Sequence, residues 1–347
     1  MWDVAVTLKD LARHVGVSIT TASRALAGYD DVAEETRQRV REAAEQLGYY
    51  PNITARRLQK RRNDTLGFII PTADPRFADP FFSEFMAGIG NEAARKDYDL
   101  LVSTHSPDSP GEKAAYERAT RGGWVDGLIV VRTRENDGRI QLLCQSNFPF
   151  VAFGRTDDDL NFPYVDEDST AGMRLLVQHL IGLGHKRIGY LSPPAGLMFG
   201  TYRRCGYYET MAEYDLPVDE SWVIEGDMTQ RGGADAVGKL LNLDPPLTAI
   251  ICGNDLMAIG TMNRLQNLGI NVGRDIAVAG FDDIPWAAYT APPLTTIRQP
   301  IYKIGQQTCS MLINIINGRE PENTHIMLTP ELIVRESSGT RLGNGRR

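Results

Sequence analysis

From Thr65 onward, short apolar runs alternate with amphipathic stretches of helical period, and that alternation constrains the fold more than any other feature. The runs are LGFII (66–70), LLVS (100–103), GLIVV (127–131), FVAF (150–153), RIGYL (187–191), WVIE (222–225), AIIC (249–252) and IAVAGF (276–281). Helical patterns lie between them, among them 85–96, 171–183 and 256–268. Strands separated by helices in this way form parallel sheets covered on both faces, because each crossover helix packs back onto the sheet. Eight strands would fill one large sheet or two smaller ones. The irregular acidic stretch 156–163 reads as a crossover, so two lobes are expected.

The first fifty residues follow another rule. In TLKDLARHVGVSITTASRAL (7–26), Leu8, Leu11, Ala12 and Val15 fall at i, i+3, i+4 and i+7, one apolar stripe of a helix. Thr7 is placed to cap its start, Asp10 to bond back to the cap's amide, and Gly16 to end it in a left-handed turn. Ser18 then caps a second short helix, with Ala22, Ala25 and Leu26 facing inward and Thr20, Thr21, Ser23 and Arg24 facing out. Hydroxyls and an Arg on a short, capped helix suit a DNA major groove, where they meet base edges and phosphates. An ordinary αα-hairpin with a polar outer face fits the same spacing equally well. Val40, Ala43, Ala44 and Leu47, closed by Gly48, complete a three-helix bundle. Asn52 can cap a further segment, 53–58, too short to hold a helix alone in water and expected to order only on a partner.

The formal net charge of −7 argues against nucleic acid until it is divided along the chain. Residues 1–62 hold 11 of the 37 Lys and Arg and 8 of the 44 Asp and Glu, a balance of +3 that leaves −10 for the remainder. Five basic residues and no acid fall within 52–62. Local neutralisation of phosphates supplies non-specific DNA affinity, and the acidic remainder limits it elsewhere. No run approaches the ~20 apolar residues of a membrane span, and MWDVAVTLKD lacks the basic flank and apolar core of a secretory signal. Cys144, Cys205, Cys252 and Cys309 are scattered without a CxxC pair, which reads as free thiols in a cytoplasmic protein.

Ligands of doubly wound sheets bind outside the carboxyl ends of the strands. Here those ends lead into PTADPRFADPFF, Ser103, Arg132-Thr133-Arg134, Gly154-Arg155, Asn254-Asp255 and Asp282-Asp283. Carboxylates, amides and guanidinia beside aromatics suit a small polyhydroxylated ligand, whose ring faces stack and whose hydroxyls need paired partners. Polar strand-end loops are also common to every α/β protein, and that explains part of the set.

At the level of motifs, the chain resembles the LacI/GalR family of bacterial transcriptional regulators from Val6 to about Ser337. The resemblance is carried by VTLKDLARHVGVSITTASRAL, TRQRVREAAEQLGYYPNITARRL, HLIGLGHKRIGYL (179–191), CGNDLMAIG (252–260) and GFDDIPWAAYTAPPLTTIRQP (280–300). It implies a helix-turn-helix head (1–50), a hinge helix and linker (51–64), and a two-lobed core like the periplasmic sugar-binding proteins. The lobes would be 65–163 with about 294–322, and 164–293 with about 323–338, before a tail at 339–347. Ile19 and Thr20 would take base-reading positions, and Ser18, Thr21, Ser23, Arg24 and Asn52 would contact phosphates or bases. Thr7, Ala55 and Arg56 complete the DNA-facing set, and Leu58 would wedge into the minor groove and kink the operator. In the core, Arg203, Asn254 and Asp282 would hold the ligand, with Asp74, Phe82, Ser103, Arg155, Asp166 and Trp286 lining the cleft.

Two departures from the family pattern lie in the head. Ala22 stands where Val is usual, and Ala33 replaces a capping Ser or Asp. The tail, GTRLGNGRR, has no leucine heptad of the kind that builds tetramers, so a homodimer is expected. The resemblance therefore implies a repressor of palindromic operator DNA controlled by a small-molecule effector, a sugar first and a nucleoside or purine as the alternative. Release of the operator by the ligand is the commoner family mode and corepression the other.

Two further classes share parts of this pattern. A solute receptor shares such a core but is exported and lacks a basic helical head. An enzyme finds little support: no GxSxG, HExxH, GxxxxGK(S/T) or strand-following GxGxxG occurs. His14, His105, His179, His185 and His325 lack metal-ligand spacing, so neither a metal nor a cofactor is expected.

Overall fold

The computed structural model describes residues 6–49, 62–72, 79–157 and 160–340. The chain divides between Asn63 and Asp64 into two compact units. The expected positions Asn52, Ala55, Arg56, Leu58 and Asp74, with the hinge and most of the tail, lie outside the described residues.

The first unit is a three-helix bundle: α1 (Leu8–Val15), α2 (Ile19–Leu26) and α3 (Glu34–Leu47). Thr7 and Asp10 form a reciprocal capping box at the start of α1, Gly16 ends it at φ 77°, and Ser18 caps α2 by accepting from the Thr21 amide at 3.0 Å. The core is small, built on Leu11, Ala12, Ala22, Ala25, Val40, Ala43 and Ala44. Ala33 leaves the start of α3 without a side-chain cap. Restoring one by Ala33→Ser should stabilise the head by about 1 kcal/mol. Amide exchange at Val40–Ala44 in the full chain should then slow roughly fivefold, and an unchanged rate would refute the missing cap as a weak point.

The second unit holds two six-stranded sheets. The first combines β1 (Thr65–Pro71), β2 (Asp99–His105), β3 (Gly127–Val130), β4 (Phe150–Phe153), β5 (Tyr164–Glu167) and β11 (His325–Leu328). These run parallel in the order β11-β5-β4-β3-β1-β2. The second combines β6 (Ile188–Ser192), β7 (Val223–Glu225), β8 (Ala249–Cys252), β9 (Ala277–Asp282), β10 (Thr295–Arg298) and β12 (Glu331–Ile333). Its order is β12-β10-β9-β8-β6-β7, parallel except for β12. Setting aside the last strand of each, the two orders are the same topology. No internal repeat is evident in the amino-acid sequence.

Helices cover both faces of each sheet. In the first lobe α4 (Pro80–Arg95) and α11 (Ile301–Ile316) cover one face, and α5 (Pro110–Gly122) and α6 (Gly138–Gln145) the other. α4 and α11 approach closely enough that a Cβ on Gly88 or Gly305 would overlap a facing backbone carbonyl. In the second lobe α7 (Ser169–Gly182) and α8 (Met198–Glu213) oppose α9 (Gln230–Leu240) and α10 (Asp255–Asn267).

The lobe boundaries differ from those expected. The acidic stretch before Pro163 links β4 to β5 within one sheet, and the chain first changes lobe after Glu167. Thr295–Arg298, assigned to the first lobe, pairs with β9 in the second; His325–Leu328, assigned to the second, pairs with β5 in the first. The cause is local. Both strands are only four residues long, and hydrophobic pattern alone does not say which sheet a strand joins.

Candidate functional site

The core strands aim their carboxyl ends into a cleft between the lobes that encloses roughly 540 Å3, counting its open mouth. In the first lobe the lining comes from Asp79, Phe81 and Phe82 at the start of α4, Val131–Thr133 after β3, Phe153 and Gly154 at the end of β4, and Asp166 and Glu167 on β5. The second lobe supplies Phe199 and Arg203 from α8, Met228, and Asp282 at the end of β9, with Gln299 at the crossover that follows β10.

One wall is aromatic. Phe81 stacks on Phe153 with centroids 5.7 Å apart and planes 15° apart. The remaining lining is a network of charges. Arg132 pairs with Asp79 at 3.1 Å and lies over the Phe82 ring at 4.9 Å. Arg203 is 3% exposed. It donates to the Gly253 carbonyl at 2.6 Å and to Ser169 Oγ at 3.3 Å, faces Glu167 at 3.5 Å and Asp282 at 3.8 Å, and covers the Phe281 ring at 3.6 Å. Asp282 accepts from Gln299 Nε2 at 2.6 Å and holds φ at 125°, a conformation that costs a side-chain-bearing residue of order 1–3 kcal/mol. Asp283 points elsewhere, to Arg298 and Arg335, each at 2.7 Å.

Burial raises the carboxyls of Asp79, Glu167 and Asp282 above the ordinary range. Asp166 rises to about 7 through burial, reinforced by the charge of Glu167 beside it. A carboxyl raised by folding is protonated in the native state while the unfolded chain has already ionised, so its contribution to stability falls as pH rises. Relative to Asp166→Asn, the wild-type chain should therefore lose stability between about pH 4 and pH 7 and change little above. Denaturant midpoints of both proteins across that range check this; a difference independent of pH would contradict it.

Of the effector residues expected from the sequence, Phe82, Asp166, Arg203 and Asp282 line the cleft. Four others stand outside that lining. The fully buried Asn254 is spent as the cap of α10, accepting from Met257 N at 3.0 Å and donating to the Met228 carbonyl at 3.1 Å. Arg155 stands behind the lining, paired with Asp166 at 2.9 Å and covered by the Tyr202 ring at 3.9 Å. Ser103 sits on the edge strand β2, and Trp286, 49% exposed, on the 3-10 helix Pro285–Tyr289; neither belongs to the lining. Sequence reasoning missed Glu167 and Gln299 as site residues because it recognised neither β5 nor β10. Phe199 and Met228 carry no strand-end signal at all. Phe81, Arg132, Thr133 and Gly154 stood in strand-end loops already marked as polar or aromatic.

In the head, α2 presents Ile19, 48% exposed, with Ser18 and Thr20 also exposed at its start. Ser18 and Thr21 hydroxyls bond each other at 2.8 Å, and Thr7 is occupied by its capping box. Ser23 is half-buried. Arg24 is ion-paired with Asp31 and lies over the Tyr29 ring at 5.2 Å, so a phosphate contact from Arg24 competes with Asp31.

A helix-turn-helix bundle in one chain with a two-lobed, clefted α/β core defines a class of protein, the bacterial regulators built on a periplasmic-binding-protein-like domain. Residues 7–52 match the family described as bacterial regulatory proteins, lacI family, and residues 177–338 match the periplasmic binding protein-like domain. The chain is 35% identical over 340 residues to the HTH-type transcriptional regulator AglR of Rhizobium meliloti strain 1021, covering 96% of this chain and 94% of the relative. The solved transcriptional regulator CelR–cellobiose complex aligns at TM-score 0.75 and 31% identity, over 96% of this chain and 99% of that one. A lac repressor dimer bound to operator and the anti-inducer ONPF aligns at TM-score 0.86 and 27% identity, over 97% and 100%. The chain belongs to the LacI family of bacterial transcription regulators. Its homologues are DNA-binding regulators and not enzymes.

Proposed function

We propose that this chain is a cytoplasmic, homodimeric repressor that reads a palindromic operator with two α2 helices and is controlled by a saccharide held between the core lobes. One observation carries the reading: the chain with the helix-turn-helix bundle also holds an interlobe cleft that sets aromatic faces against buried carboxylates and an amide. Such a lining suits a ring with a hydroxylated rim. The likeness to a regulator solved with cellobiose and to a repressor dimer solved on operator supports both halves. Among the described residues no helix is long and apolar enough to cross a membrane.

Closure of the lobes on the ligand would act by population shift: the ligand binds one arrangement better, and operator affinity follows that arrangement. Ile19, Thr20, Ser18, Thr21, Ser23 and Arg24 are the proposed DNA contacts in the described head, with Thr7 supporting the start of α1. The selection of duplexes from a random library by the full-length chain tests the DNA half. Enriched sequences should be palindromes with half-sites about one helical turn apart. Enrichment of single, unpaired half-sites would contradict the dimeric reading.

A further inference from the structure

We infer that the ligand of the cleft carries no anionic group and binds by donating hydroxyl hydrogens, with Glu167 and Gln299 as acceptors. This rests on the saccharide reading of the cleft and narrows it to a charge class.

The first support is charge. Among the described residues, four carboxylates line the cleft (Asp79, Asp166, Glu167 and Asp282) against two guanidinia, Arg132 and Arg203. Both are committed: Arg132 to Asp79, and Arg203 to the Gly253 carbonyl, Ser169 and two of the carboxylates. Arg155 behind them is committed to Asp166. A phosphate or carboxylate would meet no uncommitted cation among the described lining residues and would have to shed its hydration beside four acids in a poorly solvated site.

The second support is the polarity of what is left to bond. Glu167 Oε2 and Gln299 Oε1 are buried without a hydrogen-bond partner among the described residues. Gln299 is oriented by the hydrogen bond from its Nε2 to Asp282, which leaves its oxygen as the spare atom. Glu167 is oriented by Arg203 and by the Ser169 hydroxyl, both of which engage Oε1 and leave Oε2 as the spare atom. A buried acceptor is satisfied only by a donor, which a sugar hydroxyl supplies and an ionised phosphate does not. Both residues also stand at lobe crossovers, Glu167 before the first and Gln299 just after β10. A hydroxyl bonded there touches two of the segments that join the lobes.

Calorimetric titration of the full-length chain with matched pairs tests the inference: neutral mono- and disaccharides, each against its 6-phosphate or uronic acid. The best neutral sugar should bind at least tenfold more tightly than its charged counterpart. Glu167→Gln should weaken that sugar about tenfold, because its amide replaces an acceptor with a donor at one position. Gln299→Leu provides the same reading if the first variant fails to fold. A charged counterpart that binds as tightly as the neutral sugar overturns the charge assignment, and unchanged affinity in both variants overturns the acceptor assignment. If no saccharide of either kind binds, the saccharide reading falls, and this inference falls with it.

Discussion

Arg203→Ala should cost the core about 3–5 kcal/mol at neutral pH and abolish its response to ligand. The Arg203 guanidinium is the cation that Glu167 and Asp282 share, at 3.5 and 3.8 Å, and it ties them to the Gly253 carbonyl at the end of β8. Removing it leaves two buried acids, each formerly within 4 Å of the guanidinium, without their shared counter-charge. Protonation removes the need for one, so the loss should be smaller at pH 5 than at pH 8. Arg203→Lys keeps a charge but not the planar fork that reaches the carbonyl, Ser169 and both acids at once, so it should fall between the two. Denaturant midpoints at both pH values check the series. A midpoint for the Ala variant within about 1 kcal/mol of wild type would mean that the network is ornamental.

Ala22→Asp should eliminate operator binding while leaving ligand binding to the core unchanged. Ala22 is 0% exposed where α2 meets the rest of the bundle. An aspartate there must either bury an unpaired charge or open the helices, at a cost of several kcal/mol. A bundle this small, with a core built largely of alanines, has about 3–5 kcal/mol to lose. The core is a separate compact unit with its own hydrophobic clusters, so its calorimetric ligand affinity should stay within twofold. A parallel loss of ligand binding would show that head and core fold as one. Ala22→Val fills the same position with the residue usual in the family and should retain operator binding.

The legible parts of the sequence were those where one physical rule acts alone. Caps and apolar spacing placed α1, α2 and α3 within a residue or two, because Thr7, Ser18, Gly16 and Gly48 have local reasons to be where they are. Strands such as Ile188–Ser192 and Ala249–Cys252 stood out because both faces of a parallel sheet are buried. β5 was invisible for the opposite reason: two of its four residues, Asp166 and Glu167, are polar because they serve the cleft. β10 reads as TTIR, whose hydroxyls bond Asp255 and the chain around Arg335, and no hydrophobic pattern marks it. The same residues made the site hard to read. Asn254, which follows the motif, caps α10, whereas Glu167 and Gln299 lie on strands and crossovers that pattern alone does not reveal.

The most direct measurement is the affinity of the full-length chain for a selected palindromic duplex, by fluorescence anisotropy at fixed salt, with and without a saturating neutral saccharide. The account predicts a change of at least tenfold in operator affinity, a coupling of about 1.4 kcal/mol, lost in Arg203→Ala. Equal operator affinity with and without a saccharide that calorimetry shows to be bound would contradict it.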